Sequence, residues 1–107
     1  MKLIVAIVNQ DDAPQVARGL SEGGFMSTRF ASRGGYLDRE NVTFVVGAAD
    51  DAVSQVKQII RHHVHRRETA YVPPQPEYAG YAAVEEEPVV VSGATLFVLD
   101  AQQFERI

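Results

Sequence analysis

The sequence predicts an α+β fold of the ferredoxin-like type, an antiparallel sheet with two helices on one face. Three observations carry that prediction. First, one phrase occurs twice: an apolar run followed by two aspartates and an alanine, at residues 3–8 with Asp11-Asp12-Ala13 and at residues 43–46 with Asp50-Asp51-Ala52. Second, each phrase leads through a helical pattern into another strand, giving strand–helix–strand twice. Third, the strands are apolar on both sides. Two helices on one face leave the other face bare, so the pattern asks for a partner chain.

Residues 3–8 (LIVAIV) are rich in β-branched residues, as in a strand covered on both faces. Asp11 and Asp12 are good helix N-caps, Pro14 suits a first turn, and Gln15 stands three residues after Asp12 in capping-box position. Val16, Ala17 and Leu20 follow at helical spacing, and Gly23-Gly24 supplies a stop. A second strand is expected over 25–32, with Met26, Thr28 and Phe30 on one face. Gly34-Gly35 and the polar stretch 38–41 connect it to the strand at Thr43–Val46. Val53, Val56, Ile59, Ile60 and Val64 form the stripe of a second helix. Its far end is basic (Arg61, His62, His63, His65, Arg66 and Arg67), which complements the helix dipole.

Residues 69–88 hold four of the five prolines, three tyrosines and the run Glu85-Glu86-Glu87, with no strand or helix period. Irregular loops longer than about 12–15 residues are usually functional or disordered. A last strand is expected over 89–99, interrupted at Ser92-Gly93, and a short helix over 101–106. The whole chain, residues 1–107, reads as one domain.

Composition excludes several functions. With 46% hydrophobic and 22% charged residues the chain is an ordinary soluble globular protein, and its net charge of −4 offers no field for a nucleic-acid backbone. The absence of cysteine excludes a disulfide framework, a thiolate metal site and a cysteine nucleophile. The apolar run at 3–8 is too short for a signal-peptide core or a membrane span, so cytoplasmic residence without membrane contact is expected.

Among candidate sites, residues 25–41 (FMSTRFASRGGYLDREN) combine a Gly-Gly turn that offers N–H groups to an anion, three arginines (Arg29, Arg33 and Arg39) and an aromatic ring, Tyr36, able to stack on a base. His62 and His65 share a helical face but lack a third ligand at helical spacing, so they read as an exposed basic helix end and not as a metal site. No G-x-S-x-G elbow and no serine–histidine–acid set is present, so no catalytic residue is assigned and the chain is not read as an enzyme.

The opening MKLIVAIV, the phrase Thr28-x-x-Ala31-x-x-Gly34-Gly35-Tyr36-Leu37, the start Asn41-x-Thr43-Phe44 and the closing phrase SGATLFVL (92–99) resemble the cyclic-di-AMP receptor family of PII-like signal proteins. The resemblance runs almost end to end. It implies a homotrimer of PII-like protomers with one cyclic-di-AMP in each cleft between subunits, no cofactor, and an unknown downstream protein partner. It also implies that Thr28 hydrogen-bonds the ligand with help from the backbone at Ser27, that Gly35, Tyr36 and Leu37 line an adenine pocket, and that Asn41 binds a polar edge. Gly47 would let the ligand approach the backbone, and Arg106 falls where the family has a glutamine. The family pattern has asparagine and arginine where this chain has Gly24 and Met26. The long loop 69–88 is expected to switch conformation on binding. The alternative is an interaction module of the same fold with another nucleotide ligand or none.

Overall fold

The computed structural model describes residues 1–34, 39–71, 87–91 and 93–107. Strand β1 (Lys2–Asn9) leads into helix α1 (Ala13–Glu22), and β2 (Ser27–Gly34) is followed by β3 (Arg39–Ala48). A 3-10 turn at Asp50–Ala52 opens helix α2 (Val53–His63). Strands β4 (Arg67–Tyr71) and β5 (Glu87–Val91) come next, and β6 (Ala94–Asp100) ends the regular structure. The main sheet is antiparallel in the order β2-β3-β1-β6, whereas β4 and β5 pair with each other as a separate two-stranded ribbon. With its two helices this is the expected α+β, ferredoxin-like arrangement.

Alternation along the strands decides which face is core. Ile4, Ala6 and Val8 of β1 and Phe44, Val46 and Ala48 of β3 are buried, together with Val16 and Leu20 of α1 and Val56 and Ile60 of α2. The two helices therefore sit on the same side of the sheet. Burying each of the larger of these side chains contributes about 1.5–3 kcal/mol, which makes this layer the main source of stability. The intervening residues Leu3, Val5 and Ile7 point to the opposite side, in register with Gly47, Val45 and Thr43 on β3 and with Leu99, Phe97 and Thr95 on β6. Phe30, Phe97 and Leu99 are each about half exposed there (52%, 54% and 48%). The strands are thus apolar on both sides, as the sequence indicated.

The two helices meet at Gly19, where an added Cβ would stand 2.7 Å from the ring of His63 and 2.9 Å from Ile59 Cγ2. Gly19→Val is expected to lower stability by about 1–3 kcal/mol through overpacking, read as a lower urea midpoint with an unchanged slope.

Several expectations need correction. Asp12 occupies the N-cap position of α1, yet its side chain makes no capping hydrogen bond, because its carboxylate is held by other groups. Val64 has extended backbone, which ends α2 at His63 and places His65, Arg66 and Arg67 outside the helix, so His62 and His65 do not share a helical face. The stretch expected to be irregular over 69–88 is strand at both ends, and what was read as one last strand is divided between β5 and β6, in different sheets. Residues 101–107 are not helical. Ala101 N–H donates to Met1 C=O at 3.1 Å, which prolongs the β1–β6 pairing, and a segment this short cannot offset helix nucleation.

Candidate functional site

The proposed ligand residues lie along the β2–β3 pair. Thr28 is in register with Val45 and faces the open side of the sheet, as does Gly47, two residues further along β3. An added Cβ at Gly47 would meet only Met1 Sδ, at 3.8 Å, so the backbone there is approachable from the open side. Ser27 pairs with Val46 and therefore faces the helix side. Asn41 pairs with Ser32 near the far end of the strands, four residues and about 13 Å from the Thr28 level. Gly35, Tyr36 and Leu37 lie outside the described residues, as do Tyr78 and Tyr81 of the long loop.

The structure thus gathers Ser27, Thr28 and Gly47 at one end of the sheet and sets Asn41 apart. Arg106 joins the first group. Its Nη2 donates to Met26 Sδ at 3.4 Å and its guanidinium lies 5.9 Å from the centre of the Phe104 ring. The terminal segment therefore brings a cation to the start of β2. Near Asn41, Ser32 Oγ and Thr43 Oγ1 are hydrogen-bonded at 2.9 Å, Arg33 is paired with Glu40, and a concavity of about 360 Å³ is lined by Gln10, Ala31, Ser32, Arg33, Glu40, Asn41 and Val42. It shares Gln10, Ala31 and Val42 with a neighbouring one of about 400 Å³ that reaches Arg29, Phe30 and the start of α1. Among the described residues, no group of three or more histidine, aspartate or glutamate side chains is placed to hold a metal ion, and no helix is long and apolar enough to cross a membrane.

Reading the sequence alone missed a buried polar cluster among the described residues. Arg67 grips the Asp12 carboxylate with both ends of its guanidinium, at 2.8 and 2.7 Å, while the His65 N–H donates at 3.2 Å and His65 Nδ1 lies 3.1 Å from Asp12 Oδ1. Arg67 also donates to the His65 carbonyl at 3.1 Å. Asp12 is 2% exposed. These bonds, those from Arg67 foremost, hold its carboxyl down at about 2 against the cost of burial. The cluster ties the start of α1 to the first residue of β4, and so to the base of the ribbon. Its partners stand more than fifty positions apart in sequence, and the acid reads locally as a cap.

The fold has close counterparts. A crystal structure of a functionally unknown protein from Pediococcus pentosaceus ATCC 25745 is 32% identical, covering 99% of this chain and 96% of its own, with a TM-score of 0.73. The profile of the cyclic-di-AMP receptor family matches residues 1–107, the full length of the sequence. For such a family cyclic-di-AMP is a ligand, not a cofactor. The chain belongs to the cyclic-di-AMP receptor family.

Proposed function

We propose that this protein is a non-enzymatic signal-transduction receptor, a cytoplasmic homotrimer of single-domain protomers that binds cyclic-di-AMP in the clefts between subunits. The full-length family match carries the ligand. The assembly rests on the open sheet face, where Leu3, Phe30, Phe97 and Leu99 remain exposed and where further copies would cover them. Thr28 and Gly47 border that same face, so copies meeting there bring the ligand residues to the subunit boundary. Ser27, Thr28, Asn41, Gly47 and Arg106 serve as ligand contacts in this reading, with Gly35, Tyr36 and Leu37 completing the adenine pocket. Binding alters the loop within 69–88, which passes the signal to a downstream protein.

Arg106 has a specific part. Its guanidinium reaches Met26, the position where the family resemblance implies an arginine, so in this reading the C-terminal segment supplies the cation just before β2. Thr28→Val and Arg106→Ala are each expected to weaken cyclic-di-AMP binding by about 1–3 kcal/mol without loss of fold. The paired change Met26→Arg with Arg106→Gln is expected to keep most of the affinity. Calorimetric titration of these variants checks this. Unchanged affinity in both single variants places the ligand elsewhere.

A further inference from the structure

A groove of about 480 Å³ lies between α2 and β6, on the side of the sheet away from β2 and β3. Its floor is apolar, with Leu96 and Val98 of β6 against Ile60 and Val64. Its rim is cationic. Lys57 and Arg61, four residues apart on one helix face, stand along one side, and Arg66 stands beyond the helix end. All three are exposed, and none has an ion pair among the described residues. In a chain of net charge −4, three unpaired cations around an apolar floor make a local exception.

The groove also borders a free sheet edge. Strand β6 pairs only with β1 in the main sheet, so alternate residues of β6 turn their N–H and C=O groups outward among the described residues. An extended segment laid on that edge would send every second side chain toward the helix side, where Ala94, Leu96 and Val98 already point. The chemistry that fits is carried by those helix-facing positions alone: an apolar side chain over Leu96 and Val98, with carboxylates two residues to either side of it, on the same face, able to reach the flanking cations.

We propose that the α2–β6 groove docks an extended acidic–apolar segment of a partner protein, added as a fifth strand on β6 with its carboxylates on Lys57, Arg61 and Arg66. The proposal gives the receptor an output surface. It rests on the receptor reading for its purpose only, since docking itself needs no nucleotide.

The test uses the full chain and a labelled, end-capped probe peptide, Glu-Thr-Val-Thr-Glu-Ser, whose valine and two glutamates share one face of a strand, followed by fluorescence anisotropy. Saturable binding is expected, weakened at least about tenfold by Arg61→Glu or Lys57→Glu and similarly by high salt. A version N-methylated at alternate amides, unable to pair along the strand, is expected to lose binding as well. Circular dichroism establishes that each charge-reversed variant is folded, and two exposed positions on one helix keep the test independent of either one. No saturation up to about 1 mM peptide, or equal binding by both charge-reversed variants, overturns the proposal. So does sedimentation showing that Arg61→Glu dissociates an assembly, because a second copy then occupies the edge. Titration of the same proteins with cyclic-di-AMP separates the two readings: peptide binding without nucleotide binding refutes the receptor and leaves the docking site standing.

Discussion

Asp12→Asn is expected to destabilise the fold by about 2–4 kcal/mol, because it leaves the Arg67 guanidinium without its charge partner at the base of the ribbon. The figure stays below that for a fully buried pair because the Arg67 side chain is 28% exposed and water screens part of the loss. Local consequences follow from the geometry. Asp12 fixes both the His65 backbone and Arg67, the last residues before the ribbon leaves the core, so the variant should show faster amide exchange through β4 than through β1. Acid provides a second readout. The Asp12 carboxyl sits at about 2 in the folded chain and near 3.9 when unfolded, so the unfolded state binds the extra proton as pH falls. The stabilisation is therefore full above about pH 5 and declines as pH drops toward 2, and Asp12→Asn should flatten that decline. Urea midpoints at pH 7 and pH 3 for both proteins check the sign. Equal acid sensitivity in the two would place the titrating group elsewhere.

Val5→Asp is expected to abolish assembly. Val5 lies on the open face of the sheet, in register between Val45 of β3 and Phe97 of β6, on the strand with neighbours on both sides. In the proposed trimer the substitution places carboxylates on a covered apolar face, at a cost of several kcal/mol per unpaired ion. In the isolated protomer Val5 is only half-buried, so the same substitution spares the helix-side core and should preserve the circular dichroism spectrum. Sedimentation equilibrium at micromolar concentration should then give 11.8 kDa for the variant, against about three times that mass for the parent chain. Cyclic-di-AMP binding should fall with it, since the proposed cleft is formed by two subunits. A variant that still assembles would move the interface to another surface.

How far the sequence could be read depended on the range of the forces involved. The repeated strand–helix phrase was legible because alternation in β1 and the three-and-four spacing of Val53, Val56 and Ile60 are local consequences of which face is buried. The ends of elements were less so. The apolar run stops at Val46, but β3 extends from Arg39 to Ala48 because polar residues at its start still find ladder partners on β2. Strand β4 carries the polar sequence RETAY and owes its place to pairing with β5, a contact across some twenty positions. Asp12 shows the limit most clearly. An aspartate before a helix is normally a cap, and a tertiary partner overrode that preference. In the candidate site, the family resemblance named Thr28, Gly47 and Arg106 as ligand contacts, but the sequence gave no sign that Arg106 would reach Met26, because that contact depends on a terminal segment that is not helical.

Calorimetric titration of cyclic-di-AMP into the full chain, alongside sedimentation of the same sample, tests the central claim most directly. One ligand per protomer, three per assembled particle, with affinity lost in Val5→Asp and reduced in Thr28→Val, is the predicted result. A saturating ligand at about 100 times its dissociation constant should also raise stability by about 2.7 kcal/mol. Absence of heat and of any melting shift, or undiminished binding by a monomeric Val5→Asp protein, would contradict the account.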